Sequence, residues 1–358
     1  MSLLAGRWVN QSRPKKMRRV LAVGFSLVFV TMTLTAKAER EQCEGDESLL
    51  RLSSLAFPGT PWHDLWLRFD ARFQKANKSC FDLDLFINAE IGSEETALAN
   101  VRRNRLQMAG LSLQGMATVV PELSVLLTPF LFDSEAEVDF VTDRYLTDLF
   151  GRLIEAKGLK LLQWSEVGWT QLYAKREIDY PEDAQGLKLR ASNAIGSIAF
   201  AEALQADSIP VTFAEALPAL ETGLIDGGQS GVGIYAFAGL SREATVINMT
   251  NHAFDTGLVV ANLGWWDGLS DAQRALVMDS LDTTEEGRAN IRTALARIEL
   301  ALPSQGVTVN YLTAEQKALW RAHVGDVSSY IIADVGGEAQ AVFNAIEAGK
   351  AAFRLEYP

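Results

Sequence analysis

The sequence predicts an α/β fold in two lobes, built from mixed or parallel sheets that are covered by helices. Apolar runs of period 2, typical of strands, alternate with longer runs of period 3.6, typical of helices. The chain has 358 residues, a length that suits two domains even without positions 1–38. Because no linker rich in Pro, Gly or Ser separates two halves, we expect the chain to cross between the lobes more than once.

The first half of the chain shows this alternation most regularly. The predicted elements are a strand at 50–57, a helix at 61–77, a strand at 80–87, a helix at 93–104 and a strand at 106–113. Pro61 suits the first turn of a helix, where a missing N–H leaves no bond unmade, and Ser93 can cap the helix that follows it. A strand, a helix and a second strand in this order predict parallel pairing.

The second half has shorter strands and, towards its end, mostly helices. The predicted elements are a helix at 134–158, strands at 160–166, 170–176 and 187–193, a helix at 195–206 and a short strand at 209–213. The pattern from 271 to 302 predicts one very long helix, and 313–332 predicts another. We therefore expect a long C-terminal helix that spans both lobes.

The N-terminus has the pattern of a secretory signal peptide. Residues 1–38 contain seven Lys or Arg and no Asp or Glu, and the apolar run VLAVGFSLVFVTMTLT from Val20 leads to the small-x-small sequence AKA. The run is shorter than the roughly 20 residues that cross a bilayer as a helix, although a permanent membrane anchor is the alternative. Met17, before two arginines, would start a signal of more usual length. We expect cleavage after Ala38 and export to the periplasm.

The exported chain would be strongly acidic. Removal of residues 1–38 takes away seven basic residues and changes the formal net charge from −12 to −19. Such a chain repels phosphate backbones, and the sequence has no basic stripe, so nucleic-acid binding is disfavoured. The only two cysteines, Cys43 and Cys80, form either one bridge or two free thiols.

The segment GLIDGGQSGVGIYAF (223–237) places one serine among five glycines. It could be a phosphate-cradling loop, a nucleophile turn, or backbone beside a pocket. Its GVGIYA sequence fits the dinucleotide pattern G-x-G-x-x-A, but a helical run precedes it where a long buried strand is required. The nucleophile pattern G-x-S-x-G fails, because Val232 stands in place of its second glycine.

Other catalytic patterns are missing as well. A serine nucleophile needs a histidine base held by a carboxylate. Each of the three histidines, His63, His252 and His323, could be an ordinary core or surface residue. No HExxH, CxxC or clustered His/Asp spacing indicates a metal site. We therefore expect a binding protein with no cofactor and no metal, and not an enzyme; a secreted hydrolase is the alternative from another class.

One arginine stands where a two-lobed α/β protein would bind its ligand. Ligands of such sheets lie beyond the carboxyl ends of strands, and Arg190 ends the predicted strand LKLR before a polar segment. Its planar guanidinium could hold a carboxylate through two parallel hydrogen bonds. A solvated surface arginine is the alternative.

A series of segments resembles the solute-binding proteins of TRAP transporters, the DctP family. They are EIGSEE, VVPELSVLLTPFLF, DYPEDAQGLKLR, GLKLRASN, PVTFAEALPALETGLIDG, MTNH and WWDGLSDAQRAL. Each is a weak signal alone, whereas their order and spacing from about Leu50 to the C-terminus are specific. The resemblance implies a periplasmic binding protein-like fold that closes like a hinged trap on a small organic acid. It also implies delivery to a sodium-driven permease made of one small and one large membrane subunit.

The same resemblance suggests how the chain divides. We expect lobe I to comprise 39–167, completed by about 255–293, and lobe II to comprise 168–254, completed by about 294–358. We also expect a monomer. A ligand-sensing partner of a membrane receptor would share this fold and pocket, and is the alternative to transport.

The resemblance further implies a set of binding residues. Arg190 matches the nearly invariant arginine of the family, which pairs with the ligand carboxylate. Asn193 matches a polar position that touches the ligand in sialic-acid-binding members. Phe213 matches an aromatic residue that packs on the ligand, with plain core packing as the alternative. Ser230 stands where many members have a ligand-binding asparagine, so we expect it to donate a hydrogen bond or to leave space, with the nearby glycines letting the backbone approach the ligand.

Two departures from the family pattern bear on the ligand. Thr170 stands where many acid-binding members have a second arginine, and Ser112 replaces an acidic residue that sialic-acid binders use. The pocket therefore has one fixed positive charge fewer, and Trp169 lies nearby in sequence. We expect a smaller or more apolar carboxylate than sialic acid, bound by one dominant charged contact and an aromatic wall.

Overall fold

A computed structural model of the chain describes residues 48–78 and 80–358. The predicted signal peptide (1–38), the alternative start at Met17 and the cysteine Cys43 lie outside the described residues. Cys80 is buried and disulfide-bonded, and its pairing with Cys43 stays a prediction. No helix in the described part of the chain combines the length and the apolar character that crossing a membrane requires.

The strands of the described residues form two sheets. They are β1 Ser48–Ser54, β2 Phe81–Ile87, β3 Met108–Leu111, β4 Leu159–Trp164, β5 Gly168–Ala174, β6 Lys188–Ala191, β7 Asp207–Pro210, β8 Gly227–Gly231, β9 Val246–Asp255, β10 Leu258–Asn262 and β11 Thr308–Asn310. The first sheet has the order β2-β1-β3-β10-β4, and the second has the order β11-β9-β5-β8-β6-β7.

Both sheets are mixed, as the sequence predicts. In the first sheet β1 runs parallel to β2 and β3, whereas β10 runs antiparallel to β3 and β4. In the second sheet β6 runs parallel to β7 and β8, whereas β5 runs antiparallel to β8 and β9. The parallel pair β6 and β8 therefore ends at one edge of its sheet, where ligands of α/β proteins bind.

Helices and single helical turns connect and cover these strands. The α-helices are α1 Pro61–Ala76, α2 Glu94–Arg102, α3 Leu113–Ala117, α4 Glu135–Val141, α5 Thr147–Glu155, α6 Ile195–Ala203, α7 Ala216–Thr222, α8 Val232–Phe237, α9 Leu240–Glu243, α10 Leu263–Gly268, α11 Asp271–Ser280, α12 Thr284–Ala301, α13 Ala314–Val324, α14 Ser328–Val335 and α15 Ala339–Glu356. A π-helical turn, Thr142–Leu146, joins α4 to α5, and 3₁₀ turns occupy Pro121–Leu127, Pro181–Ala184, Phe213–Glu215 and Leu302–Gln305.

One helix contributes to the cores on both sheets. Helix α12 places Ile291 in the core that covers β1 and packs Ile298 against the core around Tyr173 and Ile247 of the second sheet. The C-terminal helix α15 adds Val342 and Ile346 to a core on the first sheet. Helix α12 therefore contacts both halves.

The prediction of one long helix from 271 to 302 is wrong, because this segment forms two helices, α11 and α12. The helical structure is interrupted after Ser280, and the carboxylate of Asp282 in the gap forms ion pairs with Arg68 and Arg72 of α1 at 2.6 and 2.9 Å. Helix α12 then starts with a capping box, in which Thr283 and Glu286 each bond to the other's backbone N–H. The Thr-x-x-Glu pattern signals this start, but the apolar period continues through it and hides the break.

The helix predicted from 313 to 332 is also two helices, α13 and α14. Gly325 follows α13 with φ of 66° and ψ of −165°, a conformation that residues with a Cβ rarely adopt. The glycine therefore ends the first helix, and the chain turns before the second begins.

Two connections between the sheets lie side by side. The chain passes from β4 to β5 through 165–167 and returns from β9 to β10 through 256–257. The backbone N–H of Ser165 donates to the carbonyl of Gly257 at 2.6 Å, and that of Val167 donates to the carbonyl of Asp255 at 2.9 Å. This pair of bonded segments forms the junction between the two halves and lines the cavity described next.

Candidate ligand-binding site

A cavity lies between the two sheets, and its space is about 1230 Å³ when the open mouth is counted. Both halves line it. The first sheet contributes the ends of β1 and β3 with the segments that follow them, and the second contributes the ends of β5, β6 and β8. The junction residues Ser165, Glu166, Val167 and Gly257 also line it. The cavity thus lies where relative movement of the two halves would open or close it.

Arg190 lines this cavity from strand β6 and is only 5% exposed. Its Nε donates to the carbonyl of Val211 at 3.1 Å, and its guanidinium lies 5.7 Å from the ring of Phe213. No carboxylate in the described residues lies within ion-pair distance of it, and burial lowers its pKa. A buried guanidinium without an anion is unfavourable, so the site is suited to a bound anion.

Besides Ser112, which is described below, four other predicted residues line the cavity, namely Asn193, Phe213, Ser230 and Thr170. Ser230 and Thr170 lie on the antiparallel neighbours β8 and β5 and are 8% and 5% exposed. Asn193 follows β6 and is exposed. The fold therefore brings together residues from separate strands that are distant in the sequence.

Trp169 does not line the cavity, which corrects the expectation that it forms an aromatic wall. Its ring packs edge-on against Phe254, with ring centroids 5.0 Å apart, and joins the core on the first sheet. Successive side chains of a strand point to opposite faces. Because Thr170 faces the cavity, its neighbour Trp169 must face away.

Ser112 lines the cavity, but its hydroxyl serves the protein itself. It donates to Glu94 at 2.6 Å and accepts the backbone N–H of Gly115, so that it caps helix α3. The backbone N–H of Ser112 also donates to Glu94, at 2.7 Å. Ser112 therefore fixes the position of the Glu94 carboxylate, and its hydroxyl proton is not available to a ligand.

Two of the three glycines of β8 serve strand packing, which corrects for these two the expectation that the glycines let the backbone approach a ligand. A Cβ at Gly227 would lie 2.2 Å from the carbonyl of Tyr173, and one at Gly228 would lie 2.5 Å from the hydroxyl of Tyr173. Both are closer than a Cβ approaches other atoms. A Cβ at Gly231 would make only ordinary van der Waals contacts, with its nearest neighbour at 3.6 Å, and Gly231 is the one of these three that lines the cavity.

The aromatic wall comes instead from the segment after strand β1. Phe57, Trp62 and Trp66 line the cavity, and Phe213 adds a ring from the other half. The indole N–H of Trp62 donates to the backbone carbonyl of Glu166 at 2.7 Å, which fixes the ring against the junction. The signal in the sequence was three aromatic residues at the end of the first predicted strand and in the helix that follows it.

Four carboxylates that line the cavity were not among the site residues predicted from the sequence, namely Glu94, Glu95, Glu166 and Asp255. Glu166 is held by Arg292 of α12 at 2.6 Å, although burial still raises its pKa to about 7. Burial raises the pKa of Asp255 to about 7 as well, helped by the nearby charge of Glu94. Burial also raises the pKa of Glu94. This side of the cavity is therefore acidic, and the side around Arg190 is basic.

His252 is committed to the structure of the second half. Its ring stacks on Phe200 at 3.7 Å, and its nitrogens bond to Thr250 and Gln229 at 2.8 and 3.1 Å. Burial lowers its pKa to about 3, so the ring is neutral at pH 7. Within 48–78 and 80–358, no group of three or more His, Cys, Asp or Glu residues could hold a metal ion.

A cleft between two mixed sheets, with a buried guanidinium inside it, defines a ligand-binding protein of the two-lobed α/β class. The family within that class follows from comparison with known proteins. Residues 52–334 match the model of bacterial extracellular solute-binding protein family 7, DctP, and the chain belongs to that family. This confirms the family that the sequence segments predicted.

Individual relatives are similar over most of their length. The 2,3-diketo-L-gulonate-binding periplasmic protein YiaO of Escherichia coli (strain K12) is 28% identical over 270 residues, 75% of this chain and 82% of that protein. The C4-dicarboxylate-binding periplasmic protein DctP of Rhodobacter capsulatus is 24% identical over 339 residues, 92% of this chain and 99% of that protein.

Solved structures show the same fold. A TRAP periplasmic solute-binding protein from Roseobacter denitrificans, with bound β-D-glucuronate, superposes with a TM-score of 0.78. The match covers 84% of this chain and 99% of that chain at 22% identity. It confirms the predicted two-lobed α/β fold.

Proposed function

We propose that this chain is the periplasmic solute-binding subunit of a TRAP transporter, that it binds a small carboxylate in the cavity, and that Arg190 pairs with that carboxylate. The chain is a member of a solute-binding family, and the relatives described above are named for, or hold, acids. The observation on which the proposal rests is the buried guanidinium that faces the cavity without an anion among the described residues.

The energetics support this role for Arg190. Removing one partner of a buried ion pair commonly costs about 3 to 5 kcal/mol, because the other charge stays buried without compensation. At about 1.4 kcal/mol for each tenfold change in Kd, loss of Arg190 weakens carboxylate binding by two to three decades. A lysine cannot replace it, since an ammonium lacks the planar fork that holds both carboxylate oxygens.

The remaining polar residues orient the ligand, and the rings hold its body. Asn193, Ser230 and Thr170 offer hydrogen bonds around the guanidinium, and Phe213 covers the carboxylate end. Because Thr170 replaces a second arginine and the opposite wall is aromatic, the ligand has one carboxylate at Arg190 and a compact or partly apolar body. Sialic acid does not match these features.

The junction suggests how the protein works in transport. The two halves, close to 39–167 and 168–254 with their C-terminal additions, close on the ligand about the paired segments at 165–167 and 256–257. The closed monomer then presents the acid to a permease made of a small and a large membrane subunit. The chain binds its ligand without converting it, and it reaches the periplasm through the signal peptide at 1–38.

A thermal-shift screen of small organic acids tests this function. Acids that bind only the folded state raise the Tm in proportion to the logarithm of their concentration. We expect at least one monocarboxylate to raise the Tm of the wild-type protein and to leave that of Arg190→Ala unchanged. Arg105→Ala, which removes an exposed arginine outside the lining, is the matched control and should respond like the wild type. Acids that stabilise wild type and Arg190→Ala equally would contradict the assignment.

A further inference from the structure

Three of the four cavity carboxylates have no cationic partner among the described residues. Glu166 is paired with Arg292, whereas Glu94, Glu95 and Asp255 form no ion pair in the part of the chain that the structure describes. The cavity therefore holds an unpaired guanidinium on one side and unpaired carboxylates on the other. A ligand that carries only negative charge compensates the guanidinium but leaves the carboxylates without a cationic partner.

Two of these carboxylates are fixed side by side. Glu94 accepts the backbone N–H and the hydroxyl of Ser112 at 2.7 and 2.6 Å. Asp255, 3% exposed, accepts the next backbone N–H, that of Leu113, at 3.1 Å and the amide of Gln114 at 3.2 Å. Backbone amides hold both groups in place, but they do not supply a positive charge.

Glu95 is the least constrained of the three carboxylates. It lies in the first turn of α2, is exposed, and makes no side-chain hydrogen bond within 48–78 and 80–358. It lines the cavity from the first half while Arg190 lines it from the second, and its charge raises the pKa of Arg190, opposing the larger effect of burial. Glu95 is thus near enough to act on Arg190 across the cleft without being paired to it.

We propose that this acidic side, Glu94, Glu95 and Asp255, selects acids that also have a cationic nitrogen, so that the ligand is a zwitterion. The inference rests on the proposed function, since it places the carboxylate of the ligand at Arg190. A cationic nitrogen on the opposite side attracts the exposed Glu95 and favours the ionised forms of Glu94 and Asp255, whose pKa values are raised by burial. A second carboxylate at that position meets the negative charge of Glu95 and requires Glu94 and Asp255 to be protonated, so the site disfavours dicarboxylates.

Matched acids that differ in one group test this selection. One series is 4-(aminomethyl)benzoate, 4-(hydroxymethyl)benzoate, 4-methylbenzoate and terephthalate, whose ring suits the aromatic wall. The other is 4-aminobutanoate, 4-hydroxybutanoate, butanoate and succinate. In calorimetry at concentrations up to the millimolar range, we expect the ammonium member to bind about tenfold or more tightly than the other three in at least one series.

The variant Glu95→Gln shows which residue is responsible. It removes one exposed charge and no hydrogen bond, so the fold and Tm should be unaffected. We expect Glu95→Gln to weaken binding of the ammonium member by about three- to tenfold and to strengthen binding of the dicarboxylate. Glu90→Gln, an equal change at an exposed residue outside the lining, should change neither. Asp255→Asn is the second variant and should act in the same direction as Glu95→Gln.

The outcomes separate this inference from the proposed function. If a hydroxyl, methyl or dicarboxylate member binds as tightly as the ammonium member, or if Glu95→Gln leaves their ratio unchanged, the acidic side does not select and the inference is overturned alone. If none of the eight acids binds, it is overturned as well, because the inference requires the ammonium member of at least one series to bind. The wider screen with Arg190→Ala then decides the proposed function independently.

Discussion

Arg190 and Gly228 are register partners on the parallel strands β6 and β8, and no room is left for a side chain at 228. A Cβ there would lie 2.9 Å from the Cβ of Arg190 and 2.5 Å from the hydroxyl of Tyr173. Neither is the mobile end of a long side chain, because the tyrosine is fully buried. The glycine therefore sets the position from which the guanidinium reaches the cavity.

Gly228→Ala should damage both stability and binding. We expect a loss of about 1 to 3 kcal/mol in the free energy of unfolding, as overpacking commonly causes, together with weaker acid binding as Arg190 shifts. Urea unfolding and calorimetry measure the two effects. Gly264→Ala is the control, since the nearest atom to its added Cβ is 3.6 Å away. A Gly228→Ala protein with wild-type stability and affinity would show that the contact is not tight.

Trp62 should contribute to binding of the part of the ligand that lies beyond its carboxylate. Trp62→Ala removes a ring from the cavity wall, and we expect aromatic or apolar acids to bind about tenfold more weakly while the smallest acids change little. Trp62→Phe keeps a ring but loses the bond from the indole N–H to the carbonyl of Glu166. Calorimetry on both variants separates the ring contact from that bond. An equal loss for large and small acids would argue against the wall.

Asp255 should make stability fall as the pH rises. Burial raises its folded pKa from 3.8 to about 7, and the charge of Glu94 acts in the same direction. The folded state therefore holds a proton more tightly than the unfolded chain, so this stabilisation is complete below pH 3.8 and is lost as the pH rises through about 7. A difference of one between the folded and unfolded pKa corresponds to about 1.4 kcal/mol, which makes the effect a few kcal/mol.

The difference in unfolding free energy between wild type and Asp255→Asn isolates this group. We expect wild type to lose stability relative to the variant across pH 3.8 to about 7, as measured by urea unfolding at several pH values without ligand. A difference that stays constant over this window would mean that Asp255 keeps an ordinary pKa, with the amides of Leu113 and Gln114 fully offsetting its burial.

The order of elements, the mixed sheets and the position of Arg190 could be predicted, because each depends on local pattern. A strand that ends in polar residues is visible in a sequence, and Arg190 ends one. Breaks within helices were harder to predict from the sequence. The apolar period runs through Asp282 and Thr283, and the interruption is marked only by the capping pattern and by partner arginines on α1, near the other end of the chain.

The acidic side of the cavity could not be predicted for a different reason. Glu94 and Asp255 are far apart in the sequence and meet only because β3 and β10 pair, which places the end of β9 beside α3. Trp169 illustrates a related limit. Its neighbour Thr170 lines the cavity, but which of two adjacent residues faces the cavity depends on the orientation of the strand.

The most direct test is the Kd of the tightest acid from the screen, measured by calorimetry for wild type, Arg190→Lys and Arg190→Ala at one pH and salt concentration. If the guanidinium holds the carboxylate, both variants bind at least about a hundredfold more weakly while their Tm values without ligand stay equal to or above that of wild type. Wild-type affinity in Arg190→Ala would show that the acid binds elsewhere.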